Sequence, residues 1–133
     1  MINGRFATAI HILTLLSREA GISSAYIASS ININPVLVRK EIGVLKEAGF
    51  VQTQEGKNGG NMLAAAPSGI RLSDLYLVIY KEGLFAHSKN LPNQQCSVGK
   101  KITGIMGQIN KEAERALLKR LHSISIQDLV DQV

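Results

Sequence analysis

A single cysteine, Cys96, stands in 133 residues. That scarcity excludes an intramolecular disulfide framework, a four-cysteine zinc site and an all-cysteine iron–sulfur site within one chain. Unbroken apolar stretches last only a few residues, so no segment is expected to span a membrane. The opening Met1-Ile2-Asn3-Gly4-Arg5 has no apolar core ending at a small-residue cleavage site, so no secretory leader is expected. No Gly-Lys-Ser/Thr opens a helix, which rules out a phosphate-binding P-loop. What is present is an apolar share of 45%, ordinary for a globular fold and too high for disorder. The length suits one domain with at most an appendage. Fifteen Lys+Arg against ten Asp+Glu leave a formal charge of +5, which suits a polyanionic partner without requiring one. The expectation is a soluble protein of a reducing, cytoplasmic compartment.

Residues 5–17 carry Phe6, Ile10, Leu13 and Leu16 at helical spacing, with Ile12 and Leu15 apolar on the other side. A helix apolar on both flanks belongs between two layers. Ser23 or Ser24 caps a short second helix, Ala25 to Ser30, with Ile27, Ala28 and Ile31 inward. Asn34 as cap and Pro35 in the first turn then open a third. Its core stripe is Val38, Ile42, Leu45 and Ala48, and Gly49 closes it. A hairpin follows: strands at 50–54 and 61–65 around the turn Glu55-Gly56-Lys57-Asn58-Gly59-Gly60. A fourth helix starts near Leu72, a long one covers 98–122, and a short one covers Ile126 to Val130.

That order predicts a mainly α fold with a small β-hairpin wing. Residues 1–82 form a winged helix-turn-helix, 83–97 a loop, and 98–133 a long dimerisation helix with a short C-terminal helix. In such a fold the third helix enters the DNA major groove and the wing lies beside the backbone. Its outward face is Val36, Arg39, Lys40, Gly43 and Glu47. Val36 can meet a thymine methyl, and Arg39 can fork onto guanine. Lys40 and Lys46 suit phosphate, which positions without specifying. Gly43 costs about 1 kcal/mol relative to alanine inside a helix; close approach of DNA or packing on the first helix would each explain it. At the wing, Gly56, Gly59 and Gly60 let amides near phosphate, while Lys57 and Asn58 supply donors.

Several segments together resemble one family. Gly4-Arg5-Phe6-Ala7 looks like the start of the Rrf2 family of bacterial winged-helix regulators. Val44-Leu45-Lys46-Glu47-Ala48-Gly49-Phe50-Val51, the wing at 56–60 and Ile70-x-Leu72-x-Asp74-Leu75 match it in order and spacing. Asn34-Pro35-Val36 and Cys96-Ser97-Val98-Gly99-Lys100-Lys101-Ile102 are most like its YwnA branch. The resemblance implies a homodimeric DNA-binding transcriptional regulator, a repressor, acting on double-stranded DNA. It places Asn34 to Lys40 in the major groove and Lys57 to Asn61 at the minor groove. The DNA-binding set is then Arg5, Ser24, Asn34, Pro35, Val36, Arg39, Lys40, Lys46, Lys57, Asn58, Gly59 and Asn61. Cluster-binding members carry three cysteines in the region matching 88–102, where this chain has only Cys96, so no iron–sulfur cofactor is carried over.

The long helix presents Ile102, Ile105, Ile109, Ala113, Ala116, Leu117 and Leu121 at near-helical spacing. At 1.5 Å per residue it is about 36 Å long, against a radius of gyration of roughly 14 Å for a compact chain of this size. A second copy is the expected cover, and twofold symmetry then calls for a near-palindromic operator. Gly104 and Gly107 mark either close approach of the two backbones or a late helix start. Cys96 precedes this helix, with Ser97 as its expected cap and Lys100 and Lys101 one turn on. The helix start and the lysines favour thiolate, so Cys96 reads either as a redox sensor or as an inert, partly buried packing residue. His11, His87 and His122 are scattered, and His11 reads as a core or interface histidine. His87 and Cys96 share a loop with no orienting third residue, so neither enzymatic chemistry nor a metal site is expected. The rival function is a winged-helix module that binds protein. A small, basic outward face on the third helix favours DNA.

Overall fold

A computed structural model describes residues 4–85 and 89–133. His87 lies outside the described residues. Helix α1 (Arg5–Arg18), α2 (Ser24–Ile31) and α3 (Pro35–Glu47) are followed by strands β1 (Val51–Gln54) and β2 (Gly60–Leu63). After one 3₁₀ turn at Pro67–Gly69 come α4 (Leu72–Ile79), α5 (Ser97–His122) and α6 (Ile126–Val130). The strands pair antiparallel from Val51 opposite Leu63 to Gln54 opposite Gly60.

The core lies around α1, whose Ala9, Ile12, Leu13 and Leu16 are buried. Its two apolar flanks have the covering they require: α2, α3 and β2 lie against it, and so do α4 and α6. Ser23 caps α2, its hydroxyl accepting the Tyr26 N–H at 3.1 Å. Asn32 ends that helix in the left-handed region at φ 64°. Val38, Ile42 and Leu45 of α3 are buried as the spacing predicts. Ala48 is not. It is the exposed C-cap residue, because Gly49 at φ 88° turns the chain away before Ala48 reaches the core.

The wing is fastened to the body by backbone. Gly21 N–H donates to the Asn61 carbonyl at 2.9 Å, and Asn61 N–H donates to the Ile22 carbonyl at 2.8 Å. Gly60 makes this possible: at φ 144° it runs against Gly21, where a Cβ would collide with backbone. Aromatic rings close the other side of α1, with Phe6 and Tyr76 centroids 6.4 Å apart and Tyr76 and Tyr80 5.0 Å apart.

The C-terminal segment departs from the sequence grouping. Residues 124–130, assigned by sequence to the unit with the long helix, return to the N-terminal core. Ile126 is fully buried, and α6 packs on α1. Leu72 N–H donates to the Ile124 carbonyl at 2.9 Å, and Ile126 N–H donates to the Ile70 carbonyl at 3.0 Å. The Asp128 carboxylate accepts the Ser125 N–H at 2.8 Å and is held below the usual carboxylate range by that bond, by the Ser125 hydroxyl and by Arg71. Leu121, expected at a dimer interface, packs on this same core because the chain turns back just after it.

Helix α5 behaves differently. It is continuous over 26 residues, about 39 Å, and none of its residues is buried against the described protein. One side rests on α4. At about 100° per residue, Val98, Ile102, Ile105, Ile109, Ala113 and Ala116 fall on another side. Val98, Ile105 and Ile109 there are 64%, 50% and 45% exposed. Gly104 and Gly107 lie inside the helix, so a late start is excluded. They also fall roughly opposite the apolar stripe, so they do not bring two backbones together along it.

Candidate nucleic-acid interface

Local chemistry aims α3. The Asn34 side-chain oxygen accepts the Val36 N–H at 2.9 Å, satisfying one amide of the first turn. Pro35 sets the opening φ and gives up no hydrogen bond there. With one side drawn into the core, the other is left to solvent: Val36, Arg39, Lys40, Gly43, Lys46 and Glu47 are all exposed. Val36 is 60% exposed, and the neighbouring Leu37, absent from the sequence-derived set, is 52% exposed. An apolar pair at the start of a helix is expensive to leave wet unless something covers it. The run Val36-Leu37-Val38 hid this, since any of the three could have been the core residue.

Glu41 is the second residue the sequence reading passed over. It sits on the buried side of α3 between Val38 and Leu45, with its side chain 9% exposed. A carboxylate there needs a partner, and Arg5 supplies one. Arg5 Nε donates to one Glu41 oxygen at 2.8 Å and Nη2 to the other at 3.3 Å. This forked pair ties the first turn of α1 to the middle of the outward helix. Arg5, expected to face DNA, thus also holds α3, and its side chain remains 37% exposed. The detectable signal was an acidic residue in phase with a core stripe.

The wing tip is built by glycine. Gly56 has φ 105°, and Gly59 N–H donates back to the Gly56 carbonyl at 3.1 Å. A Cβ at Gly59 would collide with the Gln54 carbonyl, so Gly59 serves the turn itself. Lys57 and Asn58 are exposed at its apex. Asn61 is not available to a partner. It is 4% exposed, accepts the Thr53 hydroxyl at 3.0 Å and donates from Nδ2 to the Ile22 carbonyl at 3.1 Å. The expectation of a DNA contact by Asn61 is corrected: its side chain holds the wing to the loop before α2. Ser24 is half-buried beside it, its oxygen 3.5 Å from the same Nδ2.

Away from this face, Cys96 itself is the N-cap of α5, and Ser97 is the first helical residue. The Gly99 N–H, and after it the Val98 N–H, hold the thiol below its ordinary value by bonding the thiolate. The cysteine is exposed rather than partly buried. His11 is exposed too and bonds Ser30 at 2.9 Å, a link between α1 and α2 rather than a core histidine. His122 bonds Ser73 at 3.3 Å.

An exposed, basic third helix flanked by a glycine-tipped hairpin is the geometry of a DNA-reading winged helix-turn-helix. Compared with known families, residues 2–132 match Rrf2, described as an iron-dependent transcriptional regulator. The chain belongs to the Rrf2 family. It is 40% identical over 134 residues to a Bacillus subtilis (strain 168) protein named as the HTH-type transcriptional regulator YwnA, covering 100% of this chain and 99% of that one. A crystal structure named as that of a DNA-binding protein superposes with a TM-score of 0.76 at 35% identity, over 94% of this chain and 97% of the other. The fold is also that of CymR, the global cysteine regulator of B. subtilis, at a TM-score of 0.71 and 21% identity over 100% and 98% of the two chains.

As an Rrf2 protein the chain is a winged helix-turn-helix DNA-binding regulator, not an enzyme. The iron in the family description does not suit its donors. A cluster needs several thiolates, and Cys96 is the sole cysteine of the sequence. Among the described residues no three His, Cys, Asp or Glu side chains gather as a metal site. No helix among the described residues is long and apolar enough to cross a membrane.

Proposed function

We propose that this Rrf2 protein is a cytoplasmic, homodimeric repressor that recognises a near-palindromic operator. The observation that carries the reading is the outward face of α3, where Val36, Arg39 and Lys40 stand exposed beside the wing. Arg39 reads guanine, and Val36 packs on a thymine methyl. Asn34 has its side-chain oxygen on the cap, so its contact with DNA runs through the amide nitrogen. Pro35 packs at the groove edge, while Lys46, Lys57, Asn58 and the Gly59 region follow phosphate, with Ser24 at the start of α2. Selection of bound duplexes from fragmented genomic DNA at moderate salt tests this. The expected result is one enriched inverted repeat with half-site centres near one helical turn, or a multiple of it, apart. Recovery of fragments with no shared sequence would defeat the reading.

The same proposal extends to Cys96 as a redox sensor. Its thiolate attacks a low-molecular-weight disulfide, joins one half and releases the other as thiol. The adduct adds bulk at the N-terminus of α5, the helix that would set the spacing of the two reading heads. Because the Gly99 and Val98 N–H groups hold the thiol below its ordinary value, its alkylation rate should reach half-maximum at a lower pH than that of an unperturbed cysteine thiol measured beside it. Iodoacetamide kinetics against pH measure this. Glutathione disulfide should weaken operator binding by the wild type and dithiothreitol should restore it, with Cys96→Ser indifferent to both. An ordinary titration and equal responses of the two proteins would remove the sensor and leave the DNA reading intact.

A further inference from the structure

The glycines of this chain divide by what their surroundings demand. Gly21, Gly49, Gly56, Gly60 and Gly83 have positive φ, while Gly59 and Gly99 sit where a Cβ would strike backbone. Gly43 has neither reason; it shares this with Gly4, Gly69, Gly104 and Gly107, but of these only Gly43 lies on the outward band of α3. It lies in the middle of α3 with helical φ, and a Cβ there would meet no described atom beyond the adjacent helix backbone within 4 Å. Packing on α1, the alternative to close DNA approach, is therefore excluded: the residue is exposed. Alanine would fit the fold and make a better helix. The place of Gly43 on the helix is specific. At about 100° per residue, Val36, Lys40, Gly43 and Glu47 form one outward band, directly opposite the buried Val38, Glu41, Ile42 and Leu45. The missing side chain leaves a notch in the wall of that band, between the Val36–Lys40 turn and Glu47.

We infer that Gly43 is the point where α3 comes closest to DNA, with a base edge or its sugar seated against the bare backbone at the notch. This rests on the DNA-reading function proposed for α3 and deepens it. The helix then lies along the major groove through its third turn, and Val36 and Arg39 are pressed to the groove floor only because position 43 has no Cβ to hold them off. A side chain at 43 acts as a spacer. It lifts the whole helix and costs base contacts more than phosphate contacts, since lysines on long stems can follow the backbone and short contacts to base edges cannot.

The test uses the full-length protein with Gly43→Ala and Gly43→Leu, both good helix formers. Thermal unfolding should show Tm raised by about 2–4 °C for alanine. Binding to the selected duplex should fall about tenfold for alanine and further for leucine, while binding to a scrambled duplex of equal length stays within about twofold, a loss of specificity rather than of charge attraction. Alanine and leucine variants that bind the selected duplex as tightly as wild type would overturn the inference with DNA reading by α3 still standing. A lowered Tm for alanine would overturn it too, by placing the need for glycine inside the fold. A wild type that prefers no sequence would remove the DNA reading itself, and the inference with it.

Discussion

Ile105→Glu combined with Ile109→Glu should abolish the proposed dimer at micromolar concentration and lower operator affinity by about 10²–10⁴-fold, the usual gain from linking two binding modules. The two isoleucines are 50% and 45% exposed on a 26-residue helix with no buried residue, so within the protomer they contribute little to stability. In the proposed symmetric interface the two substitutions would bring four carboxylates into an apolar stripe, and desolvating them is costly. The folded protomer should survive. Val38, Ile42, Leu75 and Ile126 hold a core that α5 meets near its end through Leu121. Sedimentation velocity gives the mass, and circular dichroism checks that the helix content is kept. A dimer persisting in the double variant would move the interface to another surface. A monomer with undiminished operator binding would mean that one reading head suffices.

Arg39→Ala should cost about 1–3 kcal/mol on the selected operator, some 5–150-fold, and should relax preference at one base pair in each half-site. Arg39 is exposed on the outward side of α3, one turn from Val36, where its guanidinium can meet both acceptors of a guanine. Lys57 provides the contrast. Exposed at the wing apex, it is proposed to meet phosphate, so Lys57→Ala should weaken all sequences alike and reduce the salt slope by about one unit. Anisotropy titrations of both variants against the operator and its single-base substitutions, at several salt concentrations, separate the two signatures. Unchanged base preference in Arg39→Ala would take the reading role away from Arg39. A base-specific loss in Lys57→Ala would contradict a phosphate role for the wing.

The features legible in the sequence alone are those decided within one turn or one hairpin. Asn34 followed by Pro35 marks a helix start wherever it stands, because an amide oxygen for an unpaired N–H and a preset φ act over three residues. Gly49, the glycine-rich turn at 55–60 and the short helix after Ser125 are local in the same sense. The spacing of Val38, Ile42 and Leu45 identifies the buried side of α3, and by subtraction its exposed side. Side-chain roles set by partners far along the chain were decided only by the tertiary structure. Asn61 looks like a polar wing residue until Ile22, 39 positions away, accepts its amide. Arg5 looks like a free cation until Glu41, 36 positions away, takes it. Residues 124–130 look like the tail of a dimerisation unit until Ile126 enters the core beside α1. Gly43 shows the same rule from the other side: its helix cost is visible in sequence, but that a Cβ there would meet no neighbouring element among the described residues emerges only when the space around it is seen to be open. Capping, turns and periodicity are short-range energies that each segment carries with it. Burial and pairing depend on which distant segment the packed chain brings into contact.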